Sequence, residues 1–283
     1  MYPDFLMTEK IKDYWYEDEF FRKHPFHLAD VQYRTSYHIG MHSHQFLEIN
    51  IIAGGSGCHY IGQRKIPVKR GDVFVIPADI HHGYFCGSRL DVNHILIKKQ
   101  FFVQYRQELN QIPGYQALFE IEPYLRRLSQ EKFFLHLSYE ELYELQKEFE
   151  KMYQALEEGL YAYGNIVLLH LISNLCLKMN RQYNDLRKKQ NDNLLGVIEY
   201  IQNNLDRKVK IEELAGMAAM SRSTFNRQFK KMFQIPPNEY IINCRISKAI
   251  ALIGEQNLSK SEIAQICGFY DTSHMDKYLK RFS

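Results

Sequence analysis

The last ninety or so residues of this chain contain the same sequence pattern twice. Leu214-Ala215 precedes Ser221–Lys231, and Ile263-Ala264 precedes Asp271–Arg281, with the apolar and basic positions of the two stretches matching. A pattern that recurs at a fixed interval indicates one supersecondary unit used twice. Each copy predicts a short helix, a turn and a second helix with a basic face, which is the sequence form of a helix-turn-helix. The second helix of such a unit lies in the DNA major groove.

Capping residues mark the ends of these predicted helices. Ser221 and Asp271 are suitable N-caps for the second helix of each unit, because their side-chain oxygens can accept from the free backbone N–H groups. Ser259 and Glu262 form a capping box at the start of the second unit. The first unit is less regular, since Lys210 stands where a cap is expected.

The second helix of the first unit is amphipathic and basic. Phe225 and Phe229 recur at helical spacing and are predicted to face the core, with the basic side chains on the opposite side. Four basic residues and no acidic residue lie between Ser221 and Phe233. A basic amphipathic helix alone is usually only a solvent-exposed face. The repeat, the caps and the lack of acidic residues together favour DNA binding.

These stretches give the resemblance to a family. Residues 194–283 resemble the DNA-binding domain of the AraC/XylS family of bacterial transcription regulators, with Gly268-Phe269 in the second turn as the most diagnostic pair. The resemblance implies a seven-helix domain in which one long helix bridges two helix-turn-helix units. Here that bridge is expected from Pro236 or Pro237 to about Leu252, because proline is tolerated in a first helical turn. The family pattern continues beyond Ser283, so its final short helix is expected to be missing from this sequence.

The resemblance and the side-chain chemistry together predict the DNA contacts. Arg227 is expected to prefer guanine and Asn226 adenine in direct readout. Basic residues near the end of each helix are expected to contact phosphates. Asp276 is expected to weaken the second unit, because a carboxylate repels phosphate. The full predicted set is Arg222, Ser223, Asn226, Arg227, Lys230, Lys231, Thr272, Ser273, Asp276, Lys277, Lys280 and Arg281.

The chain is long enough for more than one core, since it has 283 residues. We predict three regions: a ligand-sensing barrel at 1–110, a helical connector at 111–190 and the DNA-binding domain at 191–283. The net charge is only +3, and residues 191–283 carry 13 basic and 10 acidic side chains. The positive charge that serves DNA binding is therefore local to the recognition helices.

Cysteine usage and the apolar segments predict a cytoplasmic protein. The five cysteines show no CxxC spacing and are expected to be thiols in a reducing compartment. Met1–Asp4 leads into charged and aromatic residues, which is unlike a signal peptide. Leu160–Met179 is the most apolar stretch, but polar residues interrupt it, so we expect a buried or interface helix and no membrane span.

The first hundred residues follow a different period. Short β-branched and aromatic runs alternate with glycine-containing turns, of which 54–57, 62–63 and 70–72 are the clearest. Short strands at this spacing predict a small antiparallel barrel or jelly roll. The predicted fold class is therefore two-domain α+β: an N-terminal cupin-like barrel with following helices, and a C-terminal all-α double helix-turn-helix domain.

A second constellation lies inside this predicted barrel. His42-Ser43-His44-x3-Glu48, followed by Gly71-x5-Pro77-x4-His82, resembles the two motifs of the cupin family. Residues two apart on a strand share a face, so His42, His44 and Glu48 are expected to point together. Such a set suits Zn, Mn, Fe(II) or Ni. The alternative is that these four residues line an effector pocket without a metal.

Several positions around this constellation stay open. His81 competes with His82 for the inward position, and the spacing from Pro77 favours His82. Asp79 stands where the enzyme-type motif usually has glycine, which favours a sensor over a catalyst. His38 and His59 either face the pocket or are ordinary strand residues.

The connector is predicted to be helical. Helices are expected at Phe101–Ile112, from Ser138 to about Glu158 and at Leu160–Lys189, with a polar inter-domain linker at Arg187–Asn193. The long third helix has an apolar stripe. It forms either a homodimer seam or a contact with the barrel of its own chain. The stripe consists of Ile166, Leu169, Ile172, Cys176 and Met179.

The sequence as a whole predicts a non-enzymatic transcription regulator. Its barrel is expected to sense a small molecule, by family analogy a sugar, and its C-terminal domain to bind promoter DNA. Effector binding must favour one arrangement of the protein over another if it is to regulate. Two alternatives are a metal-dependent cupin enzyme with an accessory DNA-binding domain, and a DNA-binding module controlled by a protein partner.

Overall fold

The computed structural model describes residues 14–35, 38–85, 89–123, 126, 135–190, 193–233, 235–253 and 258–280. The chain divides into two compact units, Met1–Tyr183 and Asn184–Ser283. In the described residues the first unit holds a nine-stranded sheet and several helices, and the second is helical. The predicted fold class is confirmed.

The strands of the first unit are short except for one. In chain order they are β1 (Tyr14–Trp15), β2 (Ala29–Arg34), β3 (Ile39–His44), β4 (Leu47–Ile61), β5 (Arg64–Lys69), β6 (Asp72–Ile76), β7 (His82–Phe85), β8 (Leu90–Ile97) and β9 (Leu135–His136). All the pairings are antiparallel except that of β1 with β3. The sheet curls around an apolar core that contains Phe74, Tyr84 and Val92.

Strand β4 organises this sheet. Its first half pairs with β6 and β8, and its second half pairs with β5 and β7. The glycine run predicted as a turn at 54–57 is therefore inside the strand, with a register shift between Ile52 and Gly54. Gly55 has φ +73, and a Cβ there would lie 1.8 Å from the Arg89 carbonyl oxygen. Only glycine fits this close approach, so the run allows the strand to change partners without ending.

Helices follow the strands in the first unit. They are α1 (Lys99–Gln104), α2 (Arg106–Asn110), a π-helical turn (Ala117–Ile121), α3 (Tyr139–Glu157) and α4 (Tyr161–Gln190). The predicted capping box is present at the start of α3, where Ser138 Oγ accepts from the Glu141 backbone N–H at 3.2 Å.

The long helix α4 corrects two predictions. It continues to Gln190, so residues 187–190 of the predicted linker are helical. Ile166, placed on the apolar stripe, is 61% exposed, whereas Ile172 and Cys176 are fully buried. By length and composition alone Tyr161–Asp185 could cross a membrane, but half of its most apolar window is buried, as in the core helix of a folded domain.

The second compact unit, Asn184–Ser283, contains six described helices. They are α5 (Asn193–Asn203), α6 (Ile211–Met217), α7 (Arg222–Phe233), α8 (Pro237–Ile253), α9 (Lys260–Ile266) and α10 (Thr272–Leu279). Helices α6 and α7 form the first helix-turn-helix, and α9 and α10 form the second. Helix α8 bridges them and begins at Pro237, one of the two starts that the sequence predicts.

Candidate effector site and DNA-reading helices

The interior of the sheet holds a cluster of polar side chains on three neighbouring strands. His42 and His44 lie on β3, Glu48 on β4 and His82 on β7, and all four are buried. Ligand atoms of His42, Glu48 and His82 lie within 4.8 Å of one another. Nε2 of His44 is 3.6 Å from Glu48 Oε1. The structure therefore brings together all four residues that the two motifs single out.

Backbone hydrogen bonds orient the three imidazoles. In each ring Nδ1 lies within hydrogen-bond distance of a carbonyl oxygen two residues away: His42 with Gly40 at 3.0 Å, His44 with Phe46 at 2.7 Å and His82 with Ile80 at 2.9 Å. Because a carbonyl can only accept, Nδ1 carries the proton and Nε2 of the neutral ring keeps a lone pair. Each Nε2 is buried and has no hydrogen-bond partner among the described residues.

The charges of the cluster suit a cation. Burial lowers the pKa of His42 to about 4 and that of His82 well below its usual value, so these rings are neutral. Burial raises the pKa of the Glu48 carboxyl, but the electrostatic effect of His44 and a hydrogen bond with His94 more than offset this and hold it well below its usual range. The Asn50 side-chain amide also donates to Glu48 Oε2 at 3.2 Å.

This donor set fits a divalent metal ion. Three imidazole lone pairs and one carboxylate are ligands that zinc and the first-row transition metals accept. Two ligands about 2.1 Å from a tetrahedral ion lie about 3.4 Å apart. Nε2 of His44 is 3.6 Å from Glu48 Oε1, and Nε2 of His82 is 3.8 Å from Glu48 Oε2. Hydrogen bonds from Nδ1 to backbone carbonyls are also the usual companions of metal-ligating histidines.

Strand β1 covers one side of the cluster. Trp15 on β1 stacks on His42 with ring centres 4.1 Å apart. The Tyr14 hydroxyl donates to Asp79 Oδ1 at 2.5 Å. Asp79 has φ +65, the left-handed conformation in which glycine is most common and which Asp tolerates. This conformation explains why Asp79 can replace the glycine of the enzyme-type motif.

The neighbouring histidines divide between interior and surface. His82 is fully buried and His81 is exposed, as the spacing from Pro77 predicts. His59 is also fully buried, with its ring centre 5.6 Å from that of His82, whereas His38 is exposed. Burial, with Arg126 as a further contribution, holds the pKa of His59 well below its usual value.

Sequence reasoning did not identify His94, Asn50 or Arg126. Nδ1 of His94 is 3.6 Å from Glu48 Oε2, and Arg126 Nη1 is 3.2 Å from His59 Nδ1. Asn50 and His94 are directly opposed in the pairing of β4 with β8. A signal existed for these two, because each is a polar residue within an apolar strand. No local signal identifies Arg126, which reaches the cluster from the segment after the π-helical turn.

The first helix-turn-helix presents the predicted polar face. Phe225, Phe229 and Phe233 of α7 are fully buried. The Ser221 hydroxyl caps the helix by accepting from the Thr224 backbone N–H at 3.2 Å. Asn226 is half-buried, and the other predicted contacts of this helix are exposed, namely Arg222, Ser223, Arg227, Lys230 and Lys231.

The second helix-turn-helix is built on the same plan with different polar contacts. Met275 is its buried anchor, and Asp271 Oδ1 caps α10 by accepting from the His274 backbone N–H at 2.7 Å. Asp276 is paired with Lys260 at 2.8 Å, so its charge is partly neutralised within the chain. Ser273, Lys277 and Lys280 are exposed, Thr272 is half-buried, and Arg281 lies outside the described residues.

Fold and sites together define a ligand-binding domain built on a curled sheet and a DNA-binding domain with two helix-turn-helix units. Residues 26–191 match the model of the AraC-like ligand binding domain. Residues 214–283 match a helix-turn-helix domain model. The chain belongs to the AraC family of transcription regulators.

The chain is similar to known proteins over most of its length or over about a third of it. The HTH-type transcriptional activator RhaR of Enterobacter sp. (strain 638) is 24% identical over 258 residues, which is 85% of this chain and 82% of that protein. The solved structure of ToxT from Vibrio cholerae O395 covers 89% of this chain and 92% of that chain, at 12% identity and a TM-score of 0.38. The DNA-binding domain of AdpA in complex with a target DNA covers 32% of this chain and 81% of that chain, at 30% identity and a TM-score of 0.31.

Proposed function

We propose that this DNA-binding transcription regulator is controlled by a small hydroxyl-rich effector, such as a sugar, that binds beside a divalent metal ion inside the barrel. His42, His44, His82 and Glu48 would hold the metal. The observation that carries the proposal is that buried ligand atoms of His42, Glu48 and His82 lie within 4.8 Å of one another, and His44 Nε2 lies 3.6 Å from Glu48 Oε1. A buried polar atom without a partner costs about 1–3 kcal/mol, and metal binding would remove that cost.

Metal binding is tested with the purified full chain. After equilibration with Zn²⁺ and removal of the excess, elemental analysis should give about one ion per chain. Zinc at 100 times its dissociation constant should stabilise the protein by about 2.7 kcal/mol. His82→Gln should weaken zinc binding by about 100-fold or more, since it removes a direct ligand. His81→Gln is the matched control, because His81 is the exposed neighbour. Equal zinc affinity in the two variants would rule out the site.

The effector is tested on the metal-loaded protein. A thermal-shift screen of sugars should find a ligand that raises the melting temperature, and that ligand should change binding to a promoter fragment. A ligand that is consumed would indicate the metal-dependent enzyme instead. The absence of any stabilising sugar, with intact promoter binding, would favour control by a protein partner. The non-enzymatic role is supported by the relatives, which are transcription regulators.

We assign base reading chiefly to Arg227 and Asn226, and phosphate contacts to Lys230, Lys231, Lys280 and Arg281. Support comes from the exposed basic face of α7, whose opposite face is buried through three phenylalanines. Guanidinium and amide groups distinguish guanine and adenine by bidentate hydrogen bonds, whereas lysine contacts phosphate without reading sequence.

A homodimer in the cytoplasm completes the proposal. The connector helices expose large apolar side chains, among them Tyr143, Tyr163 and Ile166 at 54%, 51% and 61%. Light scattering of the full chain should give twice its mass, and Ile166→Asp should shift it to the monomer. The four described cysteines are free thiols, in keeping with a reducing compartment.

A further inference from the structure

The buried imidazole of His59 has the opposite hydrogen-bond polarity from those of His42, His44 and His82. Nδ1 of His59 lies 3.2 Å from Arg126 Nη1. A guanidinium has only donors, so His59 Nδ1 accepts and the proton of the neutral ring is on Nε2. His59 is fully buried, and its Nε2 has no hydrogen-bond partner within the described part of the chain. An N–H group cannot ligate a metal, so this histidine is distinct from the three that present lone pairs.

Arg126 is held in place by several contacts, which makes this polarity a fixed property of the site. Its Nε donates to Glu122 Oε1 at 2.5 Å, and Glu122 is itself fully buried. Another Arg126 nitrogen donates to the Val75 carbonyl oxygen, and the Val75 N–H donates to Glu122 Oε2 at 3.4 Å. The guanidinium also stacks on Phe74 at 4.7 Å. Glu122 and Arg126 therefore hydrogen-bond to the edge of β6 at Val75, beyond the residues of β6 that pair with β9.

The main-chain bulge of β4 brings His59 to the same interior as Glu48. Eleven residues separate the two, and in a regular strand an odd interval places side chains on opposite faces. The register shift between Ile52 and Gly54 reverses that parity. Ile52 and Ile61, the neighbours of these residues on the inner face, pack in one core cluster.

We propose that His59 is the effector-facing hydrogen-bond donor of the barrel, and that its Nε2–H donates to an oxygen atom of an effector that coordinates the metal. This inference rests on the metal site of the proposed function. The ligand class is a small molecule with a metal-binding oxygen, such as a hydroxycarboxylate or a sugar diol. An amine that coordinates the metal is disfavoured at the same place, because the metal uses its lone pair and only its N–H groups are left to face the N–H of His59. Arg126 is a positioning residue that fixes the tautomer from the helical segment.

Nitrogen-15 NMR of the histidine side chains tests the tautomers directly. Long-range nitrogen–proton spectra of the full chain should show Nδ1–H for His42, His44 and His82 and Nε2–H for His59. Zinc should shift the Nε2 signals of the first three and leave His59 Nε2 protonated. A His59 ring with its proton on Nδ1, or with zinc bound at Nε2, would overturn the inference whatever the other rings do.

Substitutions at His59 test the donor role. Glycolate is added to the cobalt-loaded protein, and its affinity is read from the visible cobalt bands. His59→Leu should weaken glycolate binding about tenfold, the effect of one hydrogen bond of about 1.4 kcal/mol. His59→Gln should stay within about threefold of the natural chain, because its amide keeps a donor near the Nε2 position. Cobalt affinity should be unchanged in both variants.

The outcomes separate the two proposals. If cobalt does not bind to the natural chain, the metal site is wrong and the inference falls with it. If cobalt binds but His59→Leu leaves glycolate affinity unchanged, only the inference is wrong. If His59→Leu loses cobalt as well, His59 is a metal ligand and its assignment as donor is overturned. A circular dichroism spectrum of each variant checks that the fold is retained.

Discussion

The two helix-turn-helix units share one plan but differ at the turn. Ala219 in the first unit and Gly268 in the second occupy equivalent positions and both have positive φ, at 53° and 73°. At Ala219 the left-handed conformation is adopted by a residue with a Cβ, which costs about 1–2 kcal/mol. At Gly268 a Cβ would lie 1.9 Å from the Leu205 carbonyl oxygen and 3.0 Å from Arg245 Nη2. The second turn is therefore packed against the chain that precedes the first unit, where the buried Arg245 donates from Nε to the same carbonyl at 3.0 Å.

The recognition helices differ in a complementary way. Helix α7 carries only basic charges, and its anchors are three buried phenylalanines. Helix α10 has a single buried anchor, Met275, and an acidic residue bound to Lys260. We infer that the first helix-turn-helix is the main reader of the DNA sequence. The second helix-turn-helix is the more firmly positioned one. The following predictions test that division, from the largest expected effect to the smallest.

Gly268→Ala should destabilise the protein by about 3 kcal/mol, because the added Cβ meets a backbone carbonyl and forces a left-handed alanine. Urea unfolding of the full chain measures the loss. Gly216→Ala is the control, since a Cβ there meets nothing within 4 Å and the residue is helical. Equal stabilities for the two variants would show that the second turn is not the packed one.

Arg227→Ala should weaken operator binding by about 1–3 kcal/mol and relax the preference at one base pair. Lys277→Ala, the equivalent change in the second unit, should cost less and act mainly through phosphate. Titrations of operator and random DNA at two salt concentrations distinguish them. Lys230→Ala is the control for a phosphate contact and should lower the salt slope by about one. A larger specificity loss with Lys277→Ala would reverse the proposed roles.

Ala219→Gly should stabilise the protein by up to about 1 kcal/mol, because glycine adopts positive φ without a Cβ penalty. The neighbouring Ala218 is right-handed at φ −78, so Ala218→Gly should destabilise it instead. Thermal unfolding of both variants gives the comparison. A loss of stability with Ala219→Gly would mean that its methyl group contributes more packing than strain.

Asp276→Asn should have the smallest effect, a two- to threefold gain in affinity for random DNA at low salt that disappears as salt screens the charges. The gain has two sources, since the substitution removes a carboxylate and releases Lys260 from their 2.8 Å ion pair. Stability should change by less than about 1 kcal/mol, as is usual for exposed pairs. Lys260→Met is the opposite control and should weaken binding. Weaker binding by Asp276→Asn would show that the carboxylate reads a base.

Local patterns were sufficient to predict the two helix-turn-helix units. Helical spacing, caps and the fixed repeat all concern residues a few positions apart, and such information is present in the sequence. The same reasoning predicted a bridge helix that begins at Pro236 or Pro237, and it predicted from strand parity that His42 and His44 point together.

Contacts between distant segments required the tertiary structure. The glycine run at 54–57 reads as a turn, because nothing local reveals that β4 continues by exchanging partners across a bulge. His94 and Arg126 join the site through pairing and packing with residues far away in the chain. The ion pair of Asp276 with Lys260 likewise depends on how two helices meet. The sequence by itself determined the repeated helix-turn-helix unit and the histidine and glutamate motif that resembles those of cupins, since both depend on regular spacing. Only the tertiary structure decided which histidines present lone pairs and which one presents a proton, because the partner of each ring nitrogen is set by the fold.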